Sequence, residues 1–332
     1  MKRYLKRSLC LLSAITLLFN LSACVNTSRP SSDTSKTKVN VVALKGPTGI
    51  GIVNLMNDSE QDLTINDYNI SIVGDPSEAA AKLASHDVDI ALLPTNMSSI
   101  LYNKTSGAVD IAAINTLGVL YLLSSDGKIN SINDLKGKTV YLTGQGATPE
   151  FAFSYILKQN GLEPSKDVKL EYKAEHSELA TLMISGKVDI GILPEPFVTQ
   201  VINKNNDIKT ALDLTEEWIK VTDSNSVLTM GCIAVRKELE ERQKSALDAF
   251  LNEYKKSAER ANSDVAKTAE LCDQYGIMQK EIAEKAIPKC NVVFIDGKEM
   301  KDKLFGFLNI LFEFEPKSVG GKLPDEDFYY QR

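Results

Sequence analysis

Two stretches decide the reading: Asp67–Pro94, DYNISIVGDPSEAAAKLASHDVDIALLP, and Asp167–Pro194, DVKLEYKAEHSELATLMISGKVDIGILP. At a constant offset of 100, ten of the 28 positions are identical. Among them are Ser77/Ser177, Glu78/Glu178, the Val-Asp-Ile triplets at 88–90 and 188–190, and Pro94/Pro194. Each copy reads as a strand, a helix opened by Ser and Glu, and a second strand ending at Pro. The segment upstream recurs too: Val39–Leu44 leads into the turn Lys45–Gly51, and Lys138–Thr143 leads into Gly144–Glu150. Strand, Gly-rich turn and helix open a βαβ unit. The chain is therefore expected to build two α/β lobes on one plan, each a mostly parallel sheet flanked by helices. Two copies do not make a solenoid. The turn Gly46–Gly51 (GPTGIG) does not fit GxGxxG, and GxxxxGK[ST] occurs nowhere, so phosphate-loop chemistry has no support.

Between the copies, Val109–Leu123 (VDIAAINTLGVLYLL) is an apolar run long enough to pass from one lobe to the other, and Ser226–Val235 is a second. Helical sequence fills most of the remainder. Two passages predict that lobe one is assembled from residues 39–118 and 230–332, the latter part helical. Lobe two, 119–229, is then inserted. The passages become two hinge crossovers that permit closure around a ligand.

The chain has 332 residues, and 38 Lys+Arg against 44 Asp+Glu give a formal charge of −6. Such an acidic balance argues against a nucleic-acid binder, whose phosphate contacts need clustered cations. The one long apolar run is N-terminal. Lys2, Arg3, Lys6 and Arg7 precede the 11 apolar-rich residues Leu9–Phe19, too few for the ~20 of a spanning helix. Leu21-Ser22-Ala23-Cys24 then resembles the lipobox of bacterial lipoproteins. That resemblance implies a signal peptide over 1–23, diacylglycerol on Cys24, and a flexible tether over 24–38, where Ser, Thr and Asp are frequent. Acyl chains would hold the protein at the extracytoplasmic face of the bacterial membrane. Cys232, Cys272 and Cys290 remain downstream. With no CxxC and only His86 and His176, no metal site is expected. Cys272 and Cys290 bracket one helical segment of an exported chain, and a disulfide between them is expected, with two buried thiols as the alternative.

Several features together resemble the solute-binding proteins of ABC importers. They are the lipobox, the early strand with its Gly/Thr turn, the paired VDIALLP and VDIGILP strands, Ile132–Lys138 (INDLKGK) and Pro194-Glu-Pro-Phe197. The group most similar is the nitrate/sulfonate/taurine/thiamine-precursor type with the type II periplasmic-binding fold, and the likeness covers residues 39 to 330. It implies a two-lobed monomer with a small-molecule solute, an ABC permease and its ATPase as partners, and no cofactor or nucleic acid.

Ligands of open α/β sheets bind beyond the carboxyl ends of strands. That rule selects the turns 46–51, 94–96, 144–148 and 195–197. The candidate ligand-binding residues are Thr48, Thr95, Asn96, Gln145, Gly146, Ala147, Thr148 and Glu195, with Thr116 from the first crossover. Thr148 is also expected to cap a helix that has Pro149 in its first turn. Beyond the signal segment, arginine occurs only at Arg29, Arg236, Arg242, Arg260 and Arg332, none in these turns. A bidentate fork on an oxyanion is therefore not visible. Glu195 would favour an amine. Together these point to a neutral, zwitterionic or heteroaromatic solute, for which Phe197, Tyr141 or Trp218 could offer a ring face. An enzyme is the alternative. GxSxG is absent, His176 reads as a surface histidine, and the Cys cluster of a thiamine-pyrimidine-synthase-like enzyme on this fold is missing, so no catalytic residue is expected.

Overall fold

The computed structural model describes residues 36–222 and 226–332. The expected signal peptide, Cys24 and nearly all of the expected tether lie outside the described residues. The chain opens with β1 (Lys38–Leu44), α1 (Pro47–Glu60), β2 (Asp67–Val73), α2 (Pro76–Ala84), β3 (Ile90–Pro94), α3 (Thr95–Lys104) and β4 (Val109–Leu117). It then crosses to β5 (Leu120–Ser124), β6 (Thr139–Thr143), α4 (Thr148–Gln159), β7 (Lys169–Lys173), α5 (His176–Ile184), β8 (Ile190–Pro194), α6 (Phe197–Lys204), β9 (Lys209–Asp213) and α7 (Leu214–Val221). It returns through β10 (Thr229–Arg236) to α8 (Lys237–Ser263), α9 (Val265–Gln274), α10 (Lys280–Ala286), β11 (Val292–Ile295) and α11 (Gly297–Phe314).

The two sheets have one plan. The first runs β11-β4-β10-β3-β1-β2 and the second β7-β6-β8-β5-β9. In the first, β1 lies parallel to β2 and β3, and β10 runs antiparallel between β3 and β4. In the second, β6 lies parallel to β7 and β8, and β5 runs antiparallel between β8 and β9. In each sheet one reversed strand is a crossover strand, laid down as the chain arrives from the other sheet, and in the first sheet the edge strand β11, antiparallel to β4, is reversed as well. The two-lobed α/β fold with two hinge crossovers expected from the repeat is thus present, and the reversals make each sheet mixed.

The repeat explains the local structure. In copy one the Asp75 carboxylate accepts from the Ser77 N–H at 2.8 Å, an N-cap of the preferred kind. In copy two Glu175 occupies the same place and its side chain does not cap the backbone. Val88 and Val188, with Ile90 and Ile190, are buried in both copies. The apolar run over 109–123 is not one strand but β4 and β5, broken at Gly118 and Val119. At Gly118 a Cβ would stand 2.2 Å from the Thr215 hydroxyl at the start of α7, so the crossing needs glycine.

Two expectations fail here. Cys272 and Cys290 are free buried thiols, and the expected disulfide is not formed. Cys290 Sγ–H instead donates to the Ala286 carbonyl at 3.2 Å, and burial pushes the Cys272 thiol up to about 12. Trp218 offers no ring face to a ligand, because it is fully buried with Tyr155 and Phe307, centroids 5.2 and 5.3 Å away.

Candidate functional site

The carboxyl ends of the strands of both sheets converge on a cavity of about 460 Å³. Seven pairs of lining residues stand 100 positions apart: Leu44/Gly144, Lys45/Gln145, Pro47/Ala147, Gly74/Ala174, Asp75/Glu175, Pro76/His176 and Pro94/Pro194. The cavity is thus built by the repeat, its copies facing each other across one space. The crossovers supply a further wall through Thr116, Val119, Leu120, Met230 and Gly231. Gly231 allows that close approach, because a Cβ there would lie 2.5 Å from Asn115 Oδ1 and 3.1 Å from Thr48 Cγ2.

Of the expected ligand residues, Thr48, Thr116, Gln145 and Ala147 line this cavity. Thr95, Asn96, Gly146, Thr148 and Glu195 do not. Asn96 is fully buried, and its Nδ2 donates to the carbonyls of Ser318 (3.0 Å) and Gly146 (3.2 Å). Thr148 Oγ1 donates to Asn96 Oδ1 at 3.0 Å and accepts from the Asn96 N–H at 3.5 Å. This is a hydrogen-bonded clasp between the turn after β3 and the turn after β6. It also replaces the capping role expected of Thr148, since Ala147 holds the N-cap position of α4.

Glu195 is turned inward as well. Its two carboxylate oxygens accept from the Thr199 N–H and hydroxyl, each at 3.0 Å, within the first turn of α6. Burial raises its pKa, and the Thr199 bonds oppose that rise. Thr95 is buried, and its Oγ1 has no hydrogen-bond partner among the described residues.

What the residue pattern missed is the end of the first strand of each copy, β2 and β7. Lys45, Asp75, Ser77, Thr143, Tyr172, Lys173, Glu175 and His176 all line the cavity. The strand-end rule contains the signal, because β2 and β7 end at Val73 and Lys173, directly before Gly74 and Ala174. His176 Nδ1 lies 2.5 Å from Thr143 Oγ1, and its ring packs 5.3 Å from that of Phe197. That burial pushes the imidazole down to about 4, so it is neutral at pH 7. Tyr172 donates to Glu150 Oε1 at 2.8 Å, and burial raises its pKa. The cavity's charges are two lysines, Lys45 and Lys173, and two carboxylates, Asp75 and Glu175. Among the described residues, no arginine lines it.

Two α/β lobes joined by paired crossovers, with a cavity at their facing strand ends, define the class of two-lobed solute-binding proteins. Residues 56–285 match the family described as ABC transporter, phosphonate, periplasmic substrate-binding protein, and the chain belongs to that family. The Bacillus subtilis (strain 168) protein YtlA is 26% identical over 206 residues, which are 59% of this chain and 58% of that relative. A crystal structure of an ABC transporter from Parabacteroides distasonis is similar with a TM-score of 0.74 and 26% identity, over 89% of this chain and 99% of that one. The alkanesulfonate-binding protein SsuA from Xanthomonas axonopodis pv. citri, bound to MOPS, has a TM-score of 0.68 at 10% identity, over 87% of this chain and 95% of that one. That last likeness is one of fold.

Proposed function

We propose that the protein is the solute-capturing component of an ABC importer. On this reading it is a monomer held at the extracytoplasmic face of the membrane through lipid on Cys24, and it delivers a small solute to a permease and its ATPase. The lobes, residues 39–118 with 230–332 and 119–229, close on the cavity about the crossovers near Gly118 and before β10. The observation that carries this is the cavity itself, walled by equivalent turns of both repeat copies and backed by both crossover strands.

The lining favours a zwitterionic or neutral solute. Two lysines and two carboxylates balance, and a dianion would meet Asp75 and Glu175 without an arginine fork. Family and neighbour names speak of phosphonates and sulfonates, so zwitterions bearing such a group are the first solutes to test. Calorimetry should show 2-aminoethylphosphonate or taurine binding well above inorganic phosphate or sulfate. Equal binding of the inorganic ions, or none by any zwitterion, would overturn the assignment of solute class. For the anchor, Cys24→Ala should release the protein from membranes, and unchanged membrane fractionation would refute lipidation.

A further inference from the structure

Asn115 and Thr116 are neighbours in β4, and in a regular strand neighbouring side chains point to opposite faces. Here they meet, and the Thr116 hydroxyl donates to Asn115 Oδ1 at 3.0 Å. A β-bulge makes this possible. On β10, Gly231 pairs with Thr116 and the next residue, Cys232, pairs with Ile114, so Asn115 stands unopposed. The pairing of β11 with β4 shifts register over the same residues. Bulges of this kind re-aim a side chain. Gly231 makes the space, because a Cβ there would stand 2.5 Å from Asn115 Oδ1 and 3.3 Å from Thr116 Oγ1. Asn115 is fully buried, whereas Thr116 lines the cavity. Of the five crossover residues that wall it, Thr116 alone carries a hydroxyl, set among Val119, Leu120, Met230 and Gly231.

We propose that Asn115 fixes the Thr116 hydroxyl as an acceptor toward the cavity, so that Thr116 selects solutes with an N–H group against the crossover wall. This rests on the reading of the cavity as the solute site, and it names where the amino group of a zwitterion lies. An amide oxygen only accepts, so the one proton of the Thr116 hydroxyl is committed to Asn115. Only lone pairs of Thr116 Oγ1 then remain for a solute. An ammonium or other N–H can meet them, whereas a sulfonate or phosphonate oxygen is repelled. The other four wall residues offer the solute no competing hydroxyl, amide or charge. Asn115 touches no solute and is a positioning residue. With the amide turned over, Nδ2 would donate to Thr116 and the hydroxyl proton would point to a solute oxygen. The two senses rank solutes oppositely.

The test is calorimetry of the full chain with two matched pairs, taurine against ethanesulfonate and 2-aminoethylphosphonate against ethylphosphonate. In the wild type the amine should tighten binding in at least one pair by about tenfold. Thr116→Val keeps the shape and removes the hydroxyl, and it should cut that ratio by about tenfold. Thr116→Ser should preserve the ratio. Asn115→Leu should narrow it, because the Thr116 proton is then free to donate, and a ratio that this variant leaves intact overturns the positioning role. A fall in both members of a pair under Thr116→Val, with the ratio kept, overturns the inference, since the hydroxyl would then serve the anionic end. Unchanged affinities in that variant, or a wild-type ratio near one in both pairs, overturn it too and leave the solute site standing. Failure of both zwitterions to bind the wild type overturns the solute reading and this inference together.

Discussion

Thr48 and Thr148 stand at the same place in the two copies and end in different environments. The Thr48 hydroxyl donates back to its own Leu44 carbonyl at 3.1 Å, and the residue faces the cavity. The Thr148 hydroxyl crosses to Asn96 in the other half and is fully buried. One copy's turn is left facing the cavity, and the other's is consumed in a bond to the opposite half. The difference teaches that, in a duplicated binding protein, repeat position alone does not assign a role. The hydrogen-bond partner across the cleft does.

The strongest way to break the comparison is at Asn96. Asn96→Ala strands the Thr148 hydroxyl and the carbonyls of Gly146 and Ser318 in a buried setting, where each unmet group is costly. Denaturant unfolding should show a loss of about 2–4 kcal/mol. A change below ~0.5 kcal/mol would mean that the clasp is not holding the halves together.

Thr148→Val and Thr48→Val sharpen the contrast, because valine keeps the shape and removes only the hydroxyl. The first should cost about 1–2 kcal/mol of stability and the second under ~1 kcal/mol. Solute affinity measured by calorimetry should respond in the opposite order, more to Thr48→Val. Equal losses in both measurements would erase the distinction between the two turns.

The smallest effect concerns protonation. His176 titrates near 4 when folded against an ordinary value of 6.5, so the unfolded chain binds more protons between those values. Its contribution to stability is complete above about pH 6.5 and is lost as pH falls toward 4, with neighbouring Glu175 opposing the shift. His176→Asn should flatten that part of the stability profile. An unaltered slope between pH 4 and 6.5 would assign the dependence to other groups.

Much of this was legible beforehand because the repeat is written in residues: the paired Val-Asp-Ile strands, Pro94 with Pro194, and the two apolar passages fix both sheets and their crossovers. The cavity was half legible. Thr48, Thr116, Gln145 and Ala147 follow from strand ends, whereas nothing in the pattern singles out Asp75 or Glu175, and His176 reads as a surface residue. The clasp was not legible, since Asn96 and Thr148 meet only once the halves are set against each other. Neither was the fate of Cys272 and Cys290, because spacing along a chain says nothing of whether two thiols face each other or a nearby carbonyl such as that of Ala286.

The late arrival of β10 has a thermal consequence. It lies between β3 and β4 in the middle of the first sheet, yet it follows every strand of the second sheet along the chain. A chain ending before β10 would leave a slot about 10 Å wide in the first sheet, two strand spacings across. The first half is thus completed only after the second has been laid down within it. Heating should therefore meet one cooperative block rather than two modules melting in turn, and a scanning calorimeter should record a single transition over residues 37–332.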